Sequence, residues 1–275
     1  MRFNSDQIQK IGKEISSKVD GKTLFDEFSR GRYSTDASVY QIKPLGVVLP
    51  KDTNDVLNLM EYSQKNSVPL LARGGGSSQC GQTVGESVVL DYSKHQNKIL
   101  ELNVEEKYVW VQPGVVLDHL NDYLKPHGLW FPVDVSTSSR ATIGGMSANN
   151  SCGSRSLYYG NMVHNVLAIE AILDDGSIFQ FDQINKNYLA TKNNQDRLYK
   201  IIDKFIDVRQ KVGSEIDANW PTTQRRVGGY NIDLIDPEGF NSSNLLVGSE
   251  GTLSLFNKIK LKLSEIPKNK ILGVC

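Results

Sequence analysis

The run VPLLARGGGSSQCGQTVGESVVLDY, Val68 to Tyr92, constrains the fold more than any other part of the sequence. Two apolar, β-rich runs flank a stretch with almost no bulky side chains. The chain must therefore leave one strand, cross a nearly bare segment and enter another strand. Glycines at 74, 75 and 76 tolerate positive φ and leave their N–H groups uncovered, which predicts a concave nest aimed at an anion. Ser77 and Ser78 add hydroxyl donors, and a phosphate or pyrophosphate is the natural occupant. A Walker loop would end in Gly-Lys-Ser/Thr, and a Rossmann fingerprint would run straight into a helix. Neither pattern is present, so backbone amides would have to hold the charge. The plain alternative is a glycine-rich turn between strands.

A second bare segment favours the nest. Ser136 to Gly153, STSSRATIGGMSANNSCG, is rich in Ser, Thr, Gly and Asn, a composition expensive in chain entropy. Two separated phosphate-sized surfaces suit an extended dinucleotide, and small residues let the backbone approach a flat ring. Both segments are expected to form tight bends between strands. A third stretch, GSEGTL at Gly248 to Leu253, has the same character at the start of a strand.

Around these segments the pattern reads as alternating helix and strand. Ile8, Ile11, Ile15 and Val19 predict an amphipathic helix over Ser5 to Val19. The lead-in LFDEFSRGRYSTDASVYQIKPLGVVLP reads as irregular until a strand at Gly46–Leu49. Asp52 or Thr53 caps a helix carrying Val56, Leu57, Met60 and Tyr62, and a strand follows at Val68–Ala72, giving a βαβ unit. KILELN and YVWVQPG read as strands, and Val115 to Leu124 as a short helix closed by KPHG. VLAIEAILDDGSIFQFD reads as a hairpin turning at Asp174, Asp175 and Gly176. Leu198, Ile201, Ile202, Phe205, Val208 and Val212 mark a long helix, and Asn219 to Asn244 a functional or flexible loop. NLLVGSEGTLSLFNKIKLKL returns to strand. ILGVC, Ile271 to Cys275, begins another apolar strand and stops, as a truncated gene or trimmed chain would.

The chain has 275 residues, enough for one large domain or two lobes. Thirty-one basic residues balance thirty-one acidic ones, which argues against a nucleic-acid partner. Cys80, Cys152 and Cys275 are widely spaced and lack neighbouring histidines, so they suit neither a disulfide framework nor a zinc site. A reducing, cytoplasmic setting follows. No run reaches the ~20 apolar residues needed to span a bilayer, and peripheral contact with the inner face of a membrane stays open.

RGGGSSQCGQTVG, FPVDVSTSSRATIGGMSANNSCGSRSLYYGN and LLVGSEGTLSLF, in that order, resemble the FAD-binding domain of the vanillyl-alcohol oxidase and p-cresol methylhydroxylase (PCMH-type) superfamily. Within it the chain is most similar to FAD-linked 2-hydroxy acid dehydrogenases of the type found in glycolate oxidase, D-lactate dehydrogenase and D-2-hydroxyglutarate dehydrogenase. RYSTDASVYQIKPLGVVLPKDTNDV is also similar to the opening of large members with an iron–sulfur region. The resemblance implies an α+β fold of two lobes, a small βαβ lobe and a larger, mainly antiparallel sheet flanked by helices. Residues 1–42 would form an N-terminal helix and lead-in. Residues 43–265 would form the FAD-binding domain, with lobes of about 43–97 and 98–265, and 266–275 would open a C-terminal substrate or cap domain.

Position by position, the resemblance places Gly74, Gly75, Gly76, Ser77 and Ser78 on the pyrophosphate. Asp134, Ser136, Ser138 and Ser139 would run along the cofactor. Thr142, Gly144, Gly145, Ser147, Asn149 and Asn150 would lie beside the flavin and its ribityl chain. Val166 would meet the adenine through backbone groups, and Glu250 with Gly251 would close the site. Relatives with covalent FAD have His at the Ser77 position and Cys at the Arg140 position, so noncovalent FAD is implied here. Val135 and Ser147 depart mildly from the usual Pro and alanine-like residues.

Oxidising a 2-hydroxy acid needs a hydride acceptor, a base and cations for the carboxylate. The sequence supplies the first through FAD and names no catalytic base and no metal site. His95, His119, His127 and His164 are isolated. Arg225, Arg226, Tyr230 and Asn231 in TTQRRVGGYNID are candidates for a carboxylate pocket, against a solvated basic turn. Cys152 and the methionines read as packing residues. The leading expectation is the FAD-binding part of a dehydrogenase for a small, D-configured 2-hydroxy acid, with an unidentified electron acceptor and a cap or iron–sulfur region elsewhere. The alternatives are a cofactor-binding module without turnover and, last, an NADPH-dependent reductase like those of enolpyruvyl-UDP-sugars.

Overall fold

The computed structural model describes residues 3–185, 196–269 and 271. The apolar end at 272–275 and the stretch 186–195 lie outside the described residues.

The first lobe follows the apolar pattern closely. Helix α1, Ser5–Ser16, carries a capping box between Asn4 and Gln7 and buries Ile8, Ile11 and Ile15. Strand β1 (Lys22–Leu24) and helix α2 (Glu27–Arg32) follow within the lead-in, where the sequence pattern predicts irregular chain. A strand of this length shows no period, and a tertiary contact fixes it: the buried Asp55 carboxylate accepts Asp20 N at 2.7 Å and Gly21 N at 2.9 Å. Strand β2 (Gly46–Leu49) is wholly buried, and α3 (Thr53–Asn66) starts at Asp52, whose side chain accepts Asn54 N and Asp55 N. Strands β3 (Leu70–Arg73) and β4 (Val88–Asp91) complete a sheet of order β1-β2-β4-β3.

This order corrects one detail of the sequence pattern. β2, α3 and β3 do form a βαβ unit, but β4 lies between β2 and β3 and runs parallel to both. The glycine stretch is therefore no tight bend between antiparallel strands. It is a helix-free excursion that carries the chain from the end of β3 back to its start, where β4 enters between β3 and β2.

In the second lobe, β5 (Ile99–Asn103) and β6 (Tyr108–Val111) pair antiparallel, followed by α4 (Leu117–Leu124) and β7 (Leu129–Trp130). Short helices α5 (Ile143–Asn149), α6 (Ser156–Tyr159) and α7 (Met162–Asn165) lead into the hairpin β8 (Val166–Ile172) and β9 (Ile178–Phe181). Strand β10 (Gln183–Asn185), helix α8 (Arg197–Asn219) and strand β11 (Gly239–Asn241) build a small side cluster around Ile184, Ile202 and Phe240. Val208, placed by periodicity on the apolar face of α8, is 43% exposed. Strand β12 (Leu255–Lys262) runs through the middle of the antiparallel sheet, order β5-β6-β12-β8-β9, and β13 (Ser264–Glu265) pairs with β7.

The architecture is thus α+β in two lobes, and the lobes share a core. Ile172 of β8 and Leu255 of β12 pack with Ile15, Val56, Leu59 and Leu90 of the first lobe. Thr53 Oγ1 also donates to Asn257 Oδ1 at 2.8 Å across the join. Among the described residues no helix is long and apolar enough to cross a membrane.

The hairpin gives a local test. Gly176 turns it at φ +81°, and an added Cβ would meet nothing nearer than Leu57 Cδ2 at 3.7 Å. Gly176→Ala should therefore cost only backbone strain, about 1–2 kcal/mol, read as a lower midpoint in chemical denaturation.

Candidate functional site

A cavity of about 480 Å³ opens between the glycine stretch and the second lobe. Its floor is built from the two bare segments packed on each other. A Cβ on Gly74 would sit 2.0 Å from Thr142 Oγ1, and one on Gly75 would sit 2.2 Å from the Arg140 carbonyl oxygen. Only glycine permits that approach.

The second bare segment also departs from expectation. It contains helix α5, N-capped by Thr142, whose Oγ1 accepts Gly145 N, and ended by Asn150 at φ +50°. Gly144 packs on the Pro113 turn, where a Cβ would lie 2.5 Å from Pro113 Cβ. Its smallness thus serves contact with the chain itself.

The structure brings together Gly74, Gly75, Gly76, Ser77, Ser78, Ser136, Thr142, Gly144, Gly145, Asn149, Glu250 and Gly251, all of which line the cavity. Among the described residues, the backbone N–H groups of Gly74, Gly75, Gly76, Ser77 and Ser78 have no hydrogen-bond acceptor. A consecutive run of amides without protein acceptors on cavity-lining residues is able to form an anion nest. Arg73 holds the base of this loop. Its guanidinium donates to Thr35 O at 2.8 Å and Thr83 O at 3.1 Å and stacks 5.3 Å from the Tyr33 ring. Burial pulls Arg73 below its usual value, opposed by the charges of Asp91 and Asp36.

Other candidates sit elsewhere. Asp134 accepts Ser154 Oγ at 2.7 Å and Arg155 N at 3.0 Å, tying down the following loop. Ser138 forms a turn with Val135 and Asp118. Ser139 lines a second groove of about 390 Å³ with Arg140, His119 and Tyr33, which shares Arg73, Gly74, Gly75 and Thr142 with the cavity. There Tyr33 donates to Asp91 Oδ2 at 2.6 Å, and burial, then Asp91, push its phenol well above the usual value. Ser147 is fully buried, with its carbonyl accepting Gly248 N, and Asn150 Oδ1 accepts Val163 N. Val166 is buried; its N–H bonds Met162 O and its carbonyl accepts Asn241 Nδ2. Both backbone groups expected to meet an adenine are therefore satisfied internally.

The arginine loop reaches the cavity only through Val227. Arg226 makes two bonds to the Asp233 carboxylate, at 2.8 and 2.7 Å, and stacks on Trp220. Tyr230 pairs with Thr252, the buried Asn231 donates to Val247 O, and Arg225 donates to Gly153 O at 3.1 Å. These side chains pin the loop. None of the histidines lines the cavity. His164 Nδ1 accepts Asn161 N at 3.0 Å, and desolvation, then Arg226, hold its imidazole below the usual range. It serves as a neutral cap of α7.

Residues to which the sequence pattern gives no ligand role also line the cavity: Gln82, Tyr92 and Ser254, with Cys80 and with Cys152, which it reads as packing. Cys80 and Gln82 sit within the glycine stretch itself, which is the available signal. Tyr92 and Ser254 give none.

Comparison with known proteins agrees with this geometry. A family model described as "FAD binding domain" matches residues 44–182. D-2-hydroxyglutarate dehydrogenase of Haemophilus influenzae is 36% identical over 255 residues, which is 87% of this chain and 24% of that protein. The Escherichia coli protein of the same name is 35% identical over 90% of this chain and 25% of its own length. Glycolate oxidase subunit GlcD of Bacillus subtilis is 30% identical over 96% of this chain and 47% of its own length. The chain thus spans about a quarter of the dehydrogenases it matches. A solved alkyldihydroxyacetonephosphate synthase superposes with a TM-score of 0.67 at 18% identity, covering 95% of this chain and 41% of that one, a likeness of fold. The chain belongs to the FAD binding domain family, the PCMH-type domain its three motifs resemble, and FAD is its cofactor.

Proposed function

We propose that this chain is the FAD-binding part of a flavin-dependent oxidoreductase acting on a small, D-configured 2-hydroxy acid, with FAD held noncovalently. One observation carries the reading: the free amides of Gly74 to Ser78 on the cavity wall. They suit the oxygens of a pyrophosphate, which accept several N–H groups at once. The rest of the cavity fits a planar, heteroatom-bearing group. Tyr92 Oη and Ser254 Oγ are buried without a partner among the described residues, and both side chains line the cavity beside Leu70, Ala72 and Leu255. A buried hydroxyl left unpaired costs about 1–3 kcal/mol, so a ligand that pairs them is favoured.

When bound, FAD supplies a two-electron acceptor for the substrate hydride. The chain's own residues orient that group. The glycine-loop amides and Ser77 hold the diphosphate, while the apolar strand residues exclude water from the buried end. Asp134, Ser138, Ser139, Ser147, Asn150 and Val166 act one step back, fixing the loops and helix that form the walls. None of the four substrate candidates lines the cavity, and Arg225, whose charge no carboxylate engages, would have to leave Gly153 O to meet a substrate carboxylate. We place the FAD-binding domain at 43–265, with lobes dividing near residue 97, and assign the base and acceptor to parts of the protein beyond it. A cytoplasmic setting fits the same reading.

Purified protein is expected to be yellow and to release FAD on heating or acid precipitation. Flavin that stays with the precipitate would indicate a covalent tether, with Cys80 or Cys152 as the attachment point. Anaerobic addition of D-2-hydroxyglutarate, D-lactate or glycolate should bleach the flavin. Yellow colour persisting with every hydroxy acid favours the second reading, a cofactor module without turnover. Colourless protein that takes up no added FAD overturns both.

A further inference from the structure

A chain of polar side chains crosses the cavity from one lobe to the other. Ser78 Oγ donates to Gln82 Oε1, and Gln82 Nε2 donates to Glu250 Oε1 at 3.4 Å. From the other side, Ser151 Oγ donates to Asn149 Oδ1 at 3.0 Å, and Asn149 Nδ2 donates to the same Glu250 oxygen at 2.8 Å. The arrangement is symmetric in its chemistry: a hydroxyl fixes each amide's orientation, and each amide points its N–H at one carboxylate oxygen. Glu250 Oε2 is left without a partner among the described residues.

The backbone also builds Glu250 into place. It sits at φ +52°, which a non-glycine residue adopts only under constraint. Its N–H bonds Ala148 O at 3.0 Å, and Gly248 N bonds Ser147 O, so the turn is clamped to α5. Glu250 is the carboxylate among the cavity-lining residues, and the guanidinium of Arg73 there is spent on backbone carbonyls. A lone anion facing an anion-binding loop would repel the ligand. Two amide donors on Oε1 offset that cost and aim the free oxygen as an acceptor.

We infer that Gln82 is a cofactor-positioning residue that couples the phosphate-binding loop to Glu250, so that Ser78 and the carboxylate are set together on a bound flavin nucleotide. This rests on the FAD reading above and adds a residue to it. Gln82 reaches both lobes because its amide has a donor end and an acceptor end. A leucine has neither, and a glutamate has no donor when ionised.

The titratable or charged groups around this chain are Arg73, Cys80, Tyr92 and Cys152 on the cavity wall, Asp36 bonded to Thr83 Oγ1, and Tyr230 behind Thr252. A carboxylate introduced at Gln82 would place a second acidic group directly beside Glu250. In Gln82→Glu the two carboxylates would share a proton at low pH and repel when both ionise.

The test is FAD affinity, read by flavin fluorescence on the apoprotein across about pH 5 to 8. Gln82→Leu should weaken FAD about 10-fold at every pH, the value of one charge-assisted bond. Gln82→Glu should bind near wild-type strength at the acid end and weaken about 10-fold or more at the neutral end. The exchanged pair Gln82→Glu with Glu250→Gln restores one amide and one carboxylate, so it should flatten the pH profile and recover most of the affinity. Wild-type affinity in Gln82→Leu, or an exchanged pair no better than Gln82→Glu alone, overturns the coupling while leaving FAD binding intact. A wild-type chain that binds no FAD overturns the reading on which the coupling rests.

Discussion

Gly75→Ala should lose FAD binding by about 100-fold or more, because displacing the loop removes at least two charge-assisted hydrogen bonds to the diphosphate. The reason is geometric. The new Cβ would lie 2.2 Å from the Arg140 carbonyl oxygen. That carbonyl belongs to a tight turn held by Arg140 N and Ala141 N bonding Thr137 O at 2.8 and 2.7 Å, so it cannot retreat. The glycine loop must swing instead, and its amides move off the ligand. Overpacking of this kind costs about 1–3 kcal/mol of stability, less than the roughly 5–15 kcal/mol that holds a domain folded, so the variant should remain folded. Gly228→Ala, whose Cβ would meet nothing within 4 Å, is the control. Isothermal titration with FAD measures both. Equal affinities for the two variants would remove the close packing of the bare segments from the explanation.

Asp55→Ala should be the most destabilising single change in the first lobe. The Asp55 carboxylate is 3% exposed and accepts Asp20 N, Gly21 N and Lys51 N at 2.7, 2.9 and 2.7 Å. Removing it strands three backbone donors, for a cost of about 3–5 kcal/mol. The effect should be local at first. β1 pairs with β2 through Lys22↔Leu49 to Leu24↔Val47, and the buried face of α1 packs beneath, so the whole N-terminal segment loosens together. Urea denaturation should give a lower midpoint, with early loss of protection in residues 5–24 by hydrogen exchange. A loss under about 1 kcal/mol would mean that water replaces the carboxylate without penalty.

These two residues also mark the limits of what the sequence discloses. Elements with a strong local signature were legible. Gly46–Leu49 is an apolar run stopped by Pro50, α3 starts at the capping Asp52, and the β8–β9 hairpin turns at Asp174-Asp175-Gly176. What depends on distant partners was not. β1 is held by Asp55, far along the sequence, and β4 enters between β2 and β3, an order that no local pattern sets.

The site divides in the same way. The density of Gly, Ser and Thr pointed to the loop at 74–78 and to Thr142, Gly144 and Gly145 around the cavity. It did not reveal that Gly144 is small for the sake of Pro113, or that α5 forms there. RRVGGYNID reads as a basic, ligand-facing loop. Asp233, Trp220, Thr252 and Val247 instead engage Arg226, Tyr230 and Asn231, and those partners come from turns and strands that local pattern does not connect. Gln82 has no local signature, because its role comes from bridging Ser78 to Glu250, a residue 168 positions along the chain.

If the free amides of residues 74–78 hold the diphosphate, amide hydrogen exchange of that segment with and without FAD will report it. Without FAD these N–H groups, lacking protein acceptors, should exchange rapidly. Saturating FAD should slow them by at least about 10-fold, while the already paired amides of α3 change little. Protection that appears elsewhere, with residues 74–78 exchanging as fast in the FAD-bound protein as in the free one, would contradict the account.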